Sequence, residues 1–247
     1  MTTAARCVVA IIGCGWLGKQ LIVRLQPHYR LLATTAGSLL SIPTHTYRWE
    51  TDALPAPLLQ ADCFIIALPP SAGGHDNYPH HMQRLVAQLP RTAQVLMISS
   101  TGVYPALPGV YDESSAVDST SSLVLAERVV LEHPQATILR SGGQYGHGRW
   151  PLPRAAAVPD KMLNFISGDN LCHAIAVLLE TPRPGQIYNL VEPDHPRLSA
   201  YFQRFAAHLP SPWPELLPPP AGERLIIGDR ITRETGFVYT LAASSQS

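Results

Sequence analysis

A chain of 247 residues is long enough for one generous α/β domain, or for one domain with a small lobe. Hydrophobic residues make up 46% and charged residues 15%, which excludes a disordered chain. The formal net charge of zero excludes a global field for nucleic acid or anionic lipid. Any anion site must therefore be local. Cys7, Cys14, Cys63 and Cys172 are scattered without CxxC spacing, as expected of reduced thiols in a cytosolic protein. No run approaches the length of a membrane span. The apolar stretch at 7–12 ends in a glycine loop rather than a cleavage site.

Residues 7–12 form an unbroken apolar run, as expected of a parallel strand covered on both faces. A glycine loop at 13–18 follows, then leucines at helical spacing over 19–26, stopped at Pro27. Residues 30–35 and 44–49 read as the second and third strands, and 62–68 as a buried fourth, broken by Pro69-Pro70. Helical spacing over 78–89 precedes a strand at 94–99, a helix at 122–132 and a strand at 136–139. This alternation predicts an α/β Rossmann fold with a doubly wound parallel sheet. Beyond about residue 142 prolines become frequent. A helix at 169–179, a strand at 186–190 and a helix at 198–209 are predicted there, followed by a proline-rich connector at 211–220 and a small polar tail at 240–247. The expected organisation is a dinucleotide-binding domain over 1–182, with a small C-terminal substrate lobe over 183–247 that is not an independent domain.

Gly13-Cys14-Gly15-Trp16-Leu17-Gly18 is a G-x-G-x-x-G between a buried strand and an amphipathic helix, the context the dinucleotide fingerprint requires. Gly13 is expected to make the tight turn, Gly15 to admit a pyrophosphate to the backbone, and Gly18 to let the helix pack on the strand. Trp16 and Leu17, within the loop, are expected at the cofactor beside the helix N-terminus whose free N–H groups face the phosphates, and Trp16 is expected to cover the loop. NAD sites usually place an acid at the end of the second strand. Here that strand ends Thr35-Ala36-Gly37-Ser38, and the first acidic residue of the chain is Glu50. The cofactor is thus NADP or NAD, with Thr35 and Ser38 tilting the choice towards NADP and no arginine there to settle it.

Five segments in order carry a resemblance. They are Ser99-Ser100-Thr101-Gly102-Val103-Tyr104, Asp112-Glu113, Leu139-Arg140 with Tyr145-Gly146-His147-Gly148-Arg149, Asn164-Phe165-Ile166 with Asp169-Asn170, and Tyr188-Asn189-Leu190. The chain resembles the extended short-chain dehydrogenase/reductases, the NAD-dependent epimerase/dehydratase group. The resemblance implies that Leu68-Pro69-Pro70, followed by Ser71, wraps the middle of the cofactor and that Ser99 lies beside it. It also implies that Ser100 fills the family's Ser/Thr position, whose hydroxyl bonds the substrate oxygen. The family's Tyr and Lys positions, counted back from Glu127, fall on Ser119 and Leu123, neither of which can do that work. Thr101 and Gly102 stand where dehydratases carry an acidic pair. A homodimer through the helices after Gly74 and Ser119 is a further implication.

Three side chains are candidates to move the proton instead: Tyr104, Tyr145 and His147, each at or near the C-terminal edge of the sheet. Packing in the strand-end turn is the competing expectation for Tyr104, and plain exposure on a loop for His147. Arg140 and Arg149 are candidate anion anchors, with a structural ion pair the competing reading of Arg140. His75, His80 and His81 read as surface residues; adjacent histidines on a helix face different ways, so no metal site is expected. Cys14 lies in the glycine loop without a nearby base. The expected protein is an NAD(P)-dependent oxidoreductase or epimerase acting on a small polar hydroxyl, carbonyl or sugar-nucleotide-like compound. A non-catalytic NAD(P)-binding sensor or regulatory subunit is the alternative, and a scaffold that has lost the cofactor the third. No nucleic-acid or membrane partner is expected.

Overall fold

The computed structural model describes residues 7–37, 40–70, 77–209 and 211–240. Seven strands form one parallel sheet: β1 (Val8–Ile12), β2 (Arg30–Thr35), β3 (Thr44–Thr46), β4 (Cys63–Ile66), β5 (Gln94–Ser100), β6 (Ala136–Ser141) and β7 (Ile187–Leu190). Their spatial order is β3-β2-β1-β4-β5-β6-β7. The order reverses direction at β1, which opens a crevice past the C-terminal ends of β1 and β4. That switch point is where open α/β sheets bind ligands.

The apolar run of β1 is buried on both faces because helices cover both. Val9 and Ile11 pack with Leu17, Leu21 and Leu25 of α1 (Trp16–Leu25) and with Leu171, Ile175 and Leu178 of α4 (Gly168–Glu180). Ala10 and Ile12 point the other way, to Met82 and Leu85 of α2 (Tyr78–Val86) and Ala126 and Val130 of α3 (Ser122–Leu131). The strand period of two thus divides one sequence run between two helical layers. Helix α1 starts at Trp16, ahead of the expected residue 19, because Gly15 serves as its N-cap. The third strand stops at Thr46, and Tyr47 and Trp49 beyond it turn into the core.

The C-terminal part is woven into the sheet. Strand β7, past residue 182, completes the sheet beside β6. Short parallel ladders join Gly109–Tyr111 to Arg224–Ile226, Gly143–Tyr145 to Phe165–Ser167, and Ala157–Pro159 to Glu215–Leu217. The last of these places a strand inside the stretch expected to be a plain connector. Helix α5 (Leu198–Arg204) stops short of residue 209, and α6 (Arg230–Thr235) ends at Gly236 in the left-handed region, φ +74°. Asn189 of β7, fully buried, ties these pieces together. Its N–H donates to Glu113 Oε1 (2.7 Å), its Nδ2 donates to the Ile227 carbonyl (3.0 Å), and its Oδ1 accepts from the Tyr104 hydroxyl (2.8 Å). No helix among the described residues is long and apolar enough to cross a membrane.

Candidate functional site

A cleft of about 470 Å³ opens at the C-terminal edge of the sheet. Four segments line it: Gly13 and Gly15–Leu17 after β1, Ala67–Pro70 after β4, Ile98–Thr101 at the end of β5, and Ser141–Gln144 at the end of β6. Leu123 of α3 and Arg149 complete the wall. Gly13, Gly15, Trp16, Leu17, Leu68, Pro69, Pro70, Ser99 and Ser100, all expected at the cofactor or substrate, therefore meet at one place, with Thr101, Leu123 and Arg149 beside them.

Each glycine of the loop answers a different steric demand. Gly13 has φ +88°, and a Cβ there would lie 2.7 Å from Leu68 Cδ2 and 3.1 Å from the Ala67 carbonyl. Its N–H donates to Thr34 Oγ1 (2.9 Å), while Cys14 N–H donates to the Thr34 carbonyl (2.8 Å), so β2 holds the turn. Gly15 has nothing within 4 Å of its would-be Cβ. That open position beside the first turn of α1, where no side chain caps the helix, is the space a diphosphate needs to approach free backbone N–H groups. Gly18 faces inward: a Cβ there would lie 2.7 Å from Cys14 Sγ and 3.4 Å from Ile11 Cγ2, so its role is helix-on-strand packing. Burial pushes the Cys14 thiol up to about 11, against Lys19, so it is no thiolate.

The opposite wall is held from behind. Tyr78, buried at the start of α2, donates its hydroxyl hydrogen to the Leu68 carbonyl (3.0 Å) and so pins the turn before Pro69-Pro70. Ser71 and His75, named in the sequence reading, lie outside the described residues, as does Ser38. Thr35 does not line the cleft.

No protein-family model matches the chain. Protein YeeZ of Escherichia coli K12 is 30% identical over 262 positions, spanning 94% of this chain and 95% of the relative, and the protein of that name in strain O157:H7 matches equally. The chain belongs to the YeeZ family. Its architecture is that of the NAD-dependent epimerase/dehydratase group, the extended short-chain dehydrogenase/reductases. MoeE5, solved with UDP-glucose and NAD, superposes with a TM-score of 0.77 at 18% identity, over 96% of this chain and 94% of that one. The UDP-glucuronic acid 4-epimerase of Bacillus cereus, solved with NAD, gives 0.76 at 14% over 96% and 95%. A protein from Methylobacillus flagellatus described as a putative NAD-dependent epimerase/dehydratase gives 0.70 at 20% over 98% and 95%.

In this YeeZ-family chain the proton-moving candidates do not gather at the cleft. Tyr104 is buried; its hydroxyl donates to Asn189 Oδ1 (2.8 Å) and accepts from Arg140 Nη1 (2.9 Å). Burial raises its pKa despite the adjacent guanidinium. Tyr145 is buried among Phe165, Tyr201 and Phe205 and donates to Glu192 Oε2 (2.8 Å), with burial first and Glu192 second holding its proton on. Each phenol has a hydrogen-bond partner inside the protein. His147 lines an adjoining groove with Cys14, Lys19 and Gln20 rather than the cleft, and its Nε2 lies 2.9 Å from Asp169 Oδ1.

Arg140 is a structural ion pair rather than an anion anchor. It makes a forked contact with Glu127, Nη2 to Oε2 at 2.8 Å and Nε to Oε1 at 3.1 Å, with both side chains buried. Glu127 Oε1 also accepts from the Ser99 hydroxyl (2.6 Å), so Ser99 lines the cleft with its hydrogen committed inward. Ser100 differs. Its Oγ accepts from Gly102 N–H (3.0 Å), leaving its hydrogen for a ligand oxygen. Leu123 lines the cleft, whereas Ser119 is exposed and does not. Of the expected surface histidines, His80 is exposed but His81 is buried against Trp49, 5.1 Å between ring centroids. Among the described residues no cluster of metal-binding side chains occurs.

The sequence reading missed Ser141, Gly142, Gly143 and Gln144. Gln144 Nε2 donates to Ser141 Oγ (3.2 Å), and a Cβ on Gly142 or Gly143 would strike Asn164 or Phe165 at 2.5 Å. The signal was present: a glycine pair directly ending a parallel strand marks the ligand edge of the sheet.

Proposed function

We propose that the chain binds a nicotinamide dinucleotide in this cleft, as an NAD(P)-binding protein of the epimerase/dehydratase kind. The observation that carries the reading is the convergence of the glycine loop, the Leu68–Pro70 turn and Ser99-Ser100 on one opening. The fit is supported by Gly15, whose missing side chain leaves the approach to α1 clear. NAD in two neighbours of the same architecture is consistent with it. Gly13, Gly15, Trp16 and Leu17 would hold the diphosphate, with Leu68–Pro70 and Ser99 beside the rest of the cofactor. When bound, the nicotinamide supplies a site for reversible hydride transfer. Thr35 ends β2, and the first acidic residue of the sequence is Glu50, which favours NADP over NAD. The substrate class is a small polar hydroxyl, carbonyl or sugar-nucleotide-like compound, with its oxygen bonded by Ser100. A homodimer and a reducing cytosolic setting, in keeping with four free thiols, belong to the same reading.

One observation favours a second reading, a binder without turnover. Leu123 occupies the cleft where the family's lysine would stand, and both candidate tyrosines are tied down elsewhere. Titrating the protein with NADH and NADPH, and reading nicotinamide fluorescence, separates the cases. Enhancement with either nucleotide is expected, and its absence with both would remove the reading. A panel of UDP-sugars, aldehydes and keto acids then decides between reductase and silent binder by loss of absorbance.

A further inference from the structure

Arg149 is the one cation among the described residues lining the cleft, and no carboxylate lines it. A rigid reversal delivers this side chain. Gly146 and Arg149 exchange backbone hydrogen bonds at 2.8 and 2.9 Å across His147-Gly148. The φ angles of those two residues are +48° and +78°, the sign a two-residue hairpin turn of the primed type requires. His147 tolerates that conformation because it is held twice. Its carbonyl accepts from Trp16 Nε1 (3.1 Å), and its ring meets Asp169. The Arg149 guanidinium then lies 5.2 Å from the Trp16 ring centroid, an arrangement in which the indole attracts the cation. Its N–H groups take no protein acceptor among the described residues.

The geometry points to Arg149 as a diphosphate clamp, and this rests on the dinucleotide reading above. Trp16 directly follows Gly15, the residue whose absent side chain opens the cleft. The contact with Trp16 therefore couples the guanidinium to the first residue of α1. A diphosphate carries two negative charges, of which a helix N-terminus answers about half of one. A guanidinium with unspent donors adds a full charge and forked N–H groups matched to phosphate oxygens. The cleft thereby reads diphosphate-linked nucleotides over plain nucleosides.

Calorimetric titration of the full chain with NADPH, NADH, ADP-ribose and adenosine tests this. For the wild type, ADP-ribose binds nearly as well as the dinucleotides and adenosine far more weakly. Arg149→Ala weakens NADPH and ADP-ribose by roughly 10- to 100-fold, the range for hydrogen bonds to a charged group, and leaves adenosine unchanged. Arg149→Lys recovers part of the loss, and the wild-type affinity falls more steeply with salt than that of Arg149→Ala. Unchanged ADP-ribose affinity in Arg149→Ala, or an equal loss for adenosine, overturns the clamp while leaving the dinucleotide site standing. Failure of the wild type to bind any of the diphosphates removes both.

Discussion

The two walls of the cleft are built from different materials. On one side, Gly13–Leu17 and Ala67–Pro70 present backbone: positive φ, an open glycine and the uncapped start of a helix. On the other, Ser100, Thr101 and Leu123 present side chains, and none of these three can exchange a proton near neutral pH. On the proposed reading, phosphate recognition rests on chain geometry that the fold itself must maintain, whereas proton transfer rests on individual side chains. Helix α3 illustrates this, since Leu123 turns an apolar side chain to the cleft while Glu127, one turn on, locks Arg140 and Ser99.

Variants can break or sharpen that contrast. The largest effect is expected for Glu127→Ala, which leaves Arg140 buried and unpaired; it should cost about 3–5 kcal/mol, read by urea unfolding. A loss near zero would mean that the network behind the Ser100 wall is not what holds it. Gly15→Asp sharpens the other side: the new side chain enters open space, so the melting temperature should hold. Its carboxylate beside the diphosphate should weaken NADPH by more than about 100-fold. Tyr104→Phe and Tyr145→Phe should each cost about 1 kcal/mol of stability and leave nucleotide binding alone. A selective loss of turnover in either would restore that tyrosine as the proton source. The smallest effect concerns pH. Burial lowers the His133 pKa from 6.5, and its neutral ring fits its surroundings, with Nδ1 accepting from Gln135 N–H (3.3 Å) and Nε2 3.1 Å from the Pro90 carbonyl. The unfolded chain takes up this proton first, so stability should decline as pH falls below about 6.5 towards the lower folded value. In His133→Gln that part of the slope should flatten in melts across pH.

Much of the binding wall was legible because its signals are local. A buried run, three spaced glycines and a Pro-Pro break announce themselves within a dozen residues, and β1, β4 and β5 stand out as apolar runs, whereas β3 is a polar Thr-His-Thr. What stayed hidden depends on distant partners. Tyr145 reads as a ligand-edge residue until Glu192, 47 positions on, proves to accept its hydrogen bond. Arg140 reads as an anchor until Glu127 appears beneath it. The paired segments 109–111 and 224–226 are three residues long, too short to show a period, and their register is set by chain more than a hundred residues away.

Asn189 also bears on how the molecule can be handled. Because one buried amide on β7 joins Glu113, Tyr104 and Ile227, excising everything beyond residue 182 would strip β6 of its neighbour. The bared row of amides and carbonyls would be a template for self-association, so such a fragment should precipitate rather than behave as a smaller version of the protein. Engineered insertions belong instead in exposed loops, away from the seam where chain ends and sheet interlock.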